Sequence, residues 1–247
     1  VTAIEAALII AAGFAAGIVN TLAGGGSLLT VPLLVLIGVP GTFANGTNRI
    51  AVLAQSIVGA WRFRAEGVSG FRHVLPVLAP MLVGATVGAY GVAHLDDASF
   101  ERLFGIVMLV LLVPALFPPR ISAARVGRVP MRPVVSALTF FAIGLYGGAF
   151  QAGVGLFLVL ALARAGHDLV MSNSVKMVAV AAFTTIAAAI FVYEGQVYWM
   201  PAIALSVGTG FGAALGARIA VRGGERLIRR VLVVAVVALA GRMLGLY

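Results

Sequence analysis

The chain has no cysteine, so disulfides and thiolate metal sites are excluded. Only 10% of its residues are charged, and acids number 8 against 17 lysines and arginines. The three histidines, His73, His94 and His167, stand at the edges of apolar runs. No HExxH string and no pair of acids within an apolar run occurs, which removes the usual metallopeptidase and aspartyl dyad signatures. Gly67-Val68-Ser69-Gly70 has the form of an intramembrane serine protease motif. It lies between arginines in a connecting segment, and no later helix offers a histidine base. No phosphate-binding loop follows a strand, so ATP-driven chemistry has no motif, and no cofactor or metal is expected. Long polar stretches are also scarce; the longest runs from 118 to 133 and leaves no room for a soluble domain.

What is present is apolar surface. Of the 247 residues, 62% are hydrophobic, and the mean hydropathy is +1.11. A soluble domain cannot bury that much, and the short alternating strands of a β-barrel do not appear. The expected class is all-α, a polytopic membrane protein of the cell inner membrane. Residues 1–22 lead into glycines rather than a small-residue cleavage site and read as a retained segment. The net charge of +9 arises from arginines gathered into a few short connections, as the positive-inside rule describes, and not from a basic face for nucleic acid.

About 20 apolar residues span a bilayer. Six segments reach or approach that length: 44–61, 74–93, 103–117, 171–193, 197–217 and 228–244. Each set of three follows an interrupted run. The first comprises 2–22, a break at Ala23-Gly24-Gly25-Gly26-Ser27, and 28–37. The second comprises 134–149, a break at 150–155, and 156–165. The second arms hold about 10 residues, roughly 15 Å of helix, so each run reads as a broken or re-entrant hairpin.

The two sets repeat. Asn45-Gly46-Thr47-Asn48-Arg49 returns as Ser172-Asn173-Ser174-Val175-Lys176, Glu66-Gly67 as Glu194-Gly195, and Gly84 with Gly88-Ala89 as Gly212 with Gly216-Ala217. The expected units are an N-terminal repeat, 1–118, a basic linker, 119–132, and a C-terminal repeat, 133–247. Arg62, Arg64 and Arg72, the linker arginines, and Arg218, Arg222, Arg226, Arg229 and Arg230 mark three cytoplasmic connections. Asp96, Asp97, Glu101 and Glu194 mark outer ones. This pattern makes the two repeats inverted, as in many secondary transporters.

Charge within an apolar span is expensive and commonly functional. Arg49 and Lys176 occupy matching repeat positions, as a site for an anion at the repeat interface requires. Snorkelling to the interface is the bland alternative. Asn48 and Asn173 lie within reach of the cations; Asn45 and Ser172 read as interhelical hydrogen-bonders or as caps at the span starts. Gly24, Gly25, Gly26 and Ser27 open one half-helix. Gly153, with Gln151 before it, opens the other. Such breaks present backbone N–H groups and a partial positive charge to a cavity. Gly84/Gly88 and Gly212/Gly216 are spaced for helix packing.

These residues give a resemblance. Ala23 to Ser27 with Val31-Pro32-Leu33-Leu34, then residues 44–48, Tyr146-Gly147-Gly148, Gln151-Ala152-Gly153-Val154-Gly155, Ser172 to Lys176 and Gly195-Gln196-Val197 resemble the TauE/SafE family of sulfite and organosulfonate exporters over essentially the whole chain. Ser172 and Ser174 depart from it, standing where small apolar residues are commoner. The resemblance implies an inner-membrane permease for a small sulfur-containing or related organic anion. The expected site is Gly24, Gly25, Gly26, Ser27, Asn48, Arg49, Gln151, Gly153, Asn173 and Lys176. The expected partners are the anion and the lipid bilayer, with a homo-oligomer left open. A non-transporting membrane subunit or assembly factor is the alternative; it would tolerate neutral residues at Arg49 and Lys176.

Overall fold

A computed structural model describes residues 3–116 and 132–243, and the side chains of residues 4–107 and 132–223. The described residues form helices only: α1 (Ala3–Ala23), α2 (Ser27–Leu36), α3 (Gly41–Ala65), α4 (Phe71–Ala93), α5 (Asp97–Leu116), α6 (Pro133–Ala149), α7 (Val154–Arg164), α8 (Leu169–Tyr193) and α9 (Trp199–Met243). The chain is an all-helical, polytopic membrane protein. Four helical stretches are long and apolar enough to cross a bilayer: 4–23, 71–93, 169–193 and 199–223. The basic linker lies almost wholly outside the described residues.

The two interrupted runs become α1–α2 and α6–α7. Their breaks fall where Gly24 and Gln151, 127 residues apart, take left-handed backbone angles, φ 82° and 62°. No side chain suits Gly24 better than none. A Cβ there would stand 2.3 Å from the carbonyl carbon of Gly155, so the tips of the two hairpins meet backbone to backbone. Gln151 holds the same conformation with a full side chain, a strain that the surrounding structure must over-determine.

One expectation fails at the C-terminal end. A connection was expected through Arg218–Arg230, but α9 is continuous over 45 residues. That is about 67 Å of helix, twice the hydrocarbon thickness. Residues 218–230 contain no proline, and arginine, leucine and glutamate are good helix formers. Gly223-Gly224 alone does not break it.

Corresponding helices exchange partners. α1 packs along α9, and α6 packs along α4. Both seams are glycine-lined and parallel: Gly208 meets the Ile10 carbonyl and Gly212 that of Phe14, while Gly84 meets the Phe141 carbonyl and Gly88 that of Leu145. At the centre α3 and α8 cross antiparallel, with Gly59 against Met177 and Gly46 against Phe191. Helix direction therefore sorts the charges to two ends. Arg62, Arg64, Arg72, Arg132, Arg164, Arg218 and Arg222 stand at one, with Glu66 and Asp168; Glu5, Asp96, Asp97, Glu101 and Glu194 stand at the other, with Arg102.

Candidate functional site

A helix that stops inside a membrane leaves its last four carbonyls without intrahelical donors. At the end of α6 the accounting is complete. The Tyr146 carbonyl accepts from the Phe150 amide. Those of Gly147, Gly148 and Ala149 accept from the Arg49 guanidinium, the latter two at 2.7 and 2.8 Å. The same guanidinium donates to Gln151 Oε1 at 2.6 Å and to Asn45 Oδ1 at 3.4 Å, and lies 5.4 Å from the centre of the Phe191 ring. Asn45 Nδ2 adds a bond of 2.9 Å to the Ala149 carbonyl.

At the end of α1 a lysine serves. Lys176 Nζ donates to the carbonyls of Asn20 at 2.7 Å and Thr21 at 2.8 Å, and to Asn173 Oδ1 at 2.6 Å. Asn173 Nδ2 reaches the Leu22 carbonyl at 3.4 Å and that of Leu169 at 3.0 Å. The clamps are crossed: α3 of the first half holds the broken helix of the second, and α8 of the second holds that of the first. Each cation sits at the negative end of a helix dipole, where its charge is favoured.

Burial is nearly total. Arg49 is 0% and Lys176 1% exposed. Among the described residues neither has a carboxylate partner; every acceptor is a carbonyl or an amide oxygen. Two buried positive charges are thus countered by dipoles alone, an arrangement that costs several kcal/mol per ion in desolvation.

The remaining sequence-selected residues surround these clamps. Gly26 precedes the first turn of α2 and donates its amide to Asn20 Oδ1 at 3.4 Å. Ser27 begins α2 and is buried, and Gly25, between Gly24 and Gly26, is half-buried. Gly153, with φ 70°, caps the start of α7. Asn48 turns to α2 rather than to Arg49. Its Oδ1 accepts from Thr30 on α2 at 2.6 Å, and Asn45 takes its place beside Arg49. The reason is helical spacing: residues four apart share a face, and adjacent residues do not.

Of the two readings of Asn45 and Ser172, capping fails, and Asn45 is an interhelical hydrogen-bonder through the Ala149 carbonyl. α3 starts at Gly41 after Pro40, and α8 is capped by Asp168, whose side chain accepts from the Met171 amide. Asn45 stands 128 residues before Asn173, and that offset was the available signal. Thr30, Asn20 and Thr21 were also passed over, although two polar residues before a glycine break, in an otherwise apolar run, mark it as special.

Two connections close the ends. Residues 66–70 lie over the start of α8, where Ser174 donates to the Val68 carbonyl at 3.1 Å. Residues 194–198 lie over the start of α3, where the Tyr198 amide donates to Thr47 Oγ1 at 3.0 Å. Gln196 Nε2 reaches the Ala93 carbonyl at 2.8 Å.

The family model described as "Sulfite exporter TauE/SafE" matches residues 9–243. A "Probable membrane transporter protein" of Haemophilus influenzae is 26% identical over 96% of this chain and 93% of its own length. Another of that name, from Xylella fastidiosa, is 30% identical over 92% of this chain and 89% of its own. "Probable membrane transporter protein YfcA" of Escherichia coli K12 is 24% identical over 93% and 86%. No solved structure matches significantly.

Proposed function

The chain belongs to the sulfite exporter TauE/SafE family, a family of membrane transporters, and from that premise we propose that it carries a small anion across the inner membrane by alternating access, with sulfite or a small sulfonate as the substrate class. The observation that supports this most is the pair of buried, carboxylate-free cations at the two helix breaks. An anion is the natural counter-charge for them. In this reading Arg49 and Lys176 supply the field, while Gln151, Asn48 and Asn173 orient the oxygens. The amides of Gly25, Ser27 and Gly153, at the starts of the two half-helices, add donors that the first turn of a helix leaves unused.

The two halves act as inverted repeats, the basic end facing the cytoplasm. With the hairpin tips in contact and both end connections closed, the arrangement is an occluded state. Parting residues 66–70 from α8 would open one side, and parting residues 194–198 from α3 the other. Drive comes from the substrate's own gradient or from a co-transported ion.

The test is flux of radiolabelled sulfite and sulfonates into proteoliposomes. Arg49→Gln and Lys176→Gln should each lower it at least ten-fold. Wild-type flux in both variants would remove the cations from the site. Absence of any flux in the wild type, in either direction and with either gradient, would favour the subunit or assembly-factor alternative.

A further inference from the structure

The free hydrogen-bonding capacity of the core is concentrated on one helix. Among the described residues, four of the seven buried side-chain atoms without a partner lie on α3, namely Asn48 Nδ2, Arg49 Nε, Gln55 Nε2 and Ser56 Oγ; the others are Ser172 Oγ and Thr184 Oγ1 of α8 and Gln196 Oε1. None of the four residues on α3 is more than 2% exposed. By contrast, all three N–H bonds of Lys176 on α8 are used.

The four fall on two levels. Asn48 to Gln55, and Arg49 to Ser56, are each seven residues, about 10.5 Å along the axis with only about 20° of rotation. Between the levels lies Val52, buried and apolar. Across from it stands Thr184. It shares a stripe of α8 with Met177 and Phe191, the residues that meet Gly59 and Gly46 of α3, and its hydroxyl also lacks a partner. The order along α3 is therefore charged and polar, then apolar, then neutral polar.

Resting on the anion reading above, we infer that Gln55 and Ser56 form a second recognition level that reads an uncharged hydrogen-bonding tail, with Thr184 facing the link between the levels. The tail is joined by a short hydrocarbon link to an oxyanion head at Arg49 and Asn48. A bare oxyanion engages the first level alone. An anion with a hydroxyl or similar acceptor two carbons away engages both, with the link against Val52. A buried polar level of this kind discriminates strongly against an analogue lacking the tail group, because its own donors are then left unpaired.

The experiment uses the full chain in proteoliposomes with three probes: sulfite, ethanesulfonate and 2-hydroxyethanesulfonate. The wild type should transport 2-hydroxyethanesulfonate with kcat/KM at least ten-fold above ethanesulfonate. In Gln55→Leu and in Ser56→Ala that ratio should fall toward one. Sulfite and ethanesulfonate should stay within about two-fold of wild type, and Ser56→Thr should restore the preference. Equal losses for all three probes would make the level structural and overturn the inference, as would a wild type indifferent to the hydroxyl. If the wild type moves none of the three anions, the anion reading itself falls. Thermal melting in detergent separates a misfolded variant from a selective one; if Gln55→Leu fails to fold, Gln55→Glu and Ser56→Ala carry the test, and an unchanged ratio in both overturns it.

Discussion

The end of α6 is held by an arginine and the end of α1 by a lysine, and the two clamps differ in what they leave over. The guanidinium forks across three successive carbonyls, Gln151 and Asn45, and still keeps its Nε–H without a partner. The ammonium spends three N–H bonds on two carbonyls and Asn173 and keeps none. Both neutralise a helix end in an apolar interior, but only the arginine retains a donor for something else. The breaks differ as well. Gly24 bends the first hairpin without strain, whereas the second needs both Gln151 and Gly153 in left-handed conformations. Gln151 is then pinned by Arg49, so the strained residue and the donor-rich cation belong to one unit. The pair teaches that repeated positions can share a structural duty while diverging in the chemistry left free for a ligand.

Removing the saturated clamp should do the most damage. Lys176→Met leaves the Thr21 carbonyl and Asn173 Oδ1 without their donor, about 1–3 kcal/mol for each orphaned acceptor. Yield and melting temperature in detergent should drop sharply. A variant as stable as wild type would show that the end of α1 does not depend on the lysine.

Arg49→Lys should separate holding from transport. A lysine keeps the charge but offers three donors where five acceptors were served. Stability should fall less than in Lys176→Met, and sulfite flux at least ten-fold. Equal flux would mean that charge alone matters at this clamp and would erase the distinction drawn between the two.

A smaller effect is expected from Gln151→Gly. Relief of left-handed strain, roughly 1–3 kcal/mol, is offset by loss of a charge-assisted hydrogen bond of roughly 1.5–3 kcal/mol. Net stability should change by about 1 kcal/mol or less while flux declines. If flux is untouched, Gln151 serves only to shape the turn.

The smallest effect concerns the ends. At the basic end His73 and His167, one from each half, stand edge to face with ring centres 5.2 Å apart. Burial, with a lesser contribution from His73, holds His167 below the usual imidazole value, against a weaker upward pull from Asp168. The fold thus favours its neutral form. The stabilisation is present above about pH 6.5 and is lost as the pH falls through the lowered value. Melting in detergent from pH 8 to 5 should show a slightly steeper acid-side loss in wild type than in His167→Gln. Identical profiles would leave the histidine pair without a titrating role.

Much of this was legible in the residues. The helical breaks were placed within about two residues, because a glycine cluster in an apolar run has few other uses. The glycine seams also followed from spacing, although which helices they join did not. The site was only partly legible. For Asn45 the residues leave capping and interhelical bonding both open, and only the start of α3 at Gly41 decides for the latter. The continuity of α9 was missed because clustered arginines suggest a connection, yet arginine is as comfortable in a helix as in a loop. The acceptors of Arg49 and Lys176 are backbone carbonyls, which no sequence pattern distinguishes.

The sequence by itself determined an all-helical membrane protein with two interrupted helices and two cations where lipid-facing chemistry would forbid them. Those features rest on local composition and spacing, which a chain carries without folding. The tertiary structure decided that each cation crosses to the other half, which carbonyls it satisfies, and which donors remain free on α3. These depend on which helix ends meet across roughly 100 to 150 residues of chain, and packing alone selects that pairing.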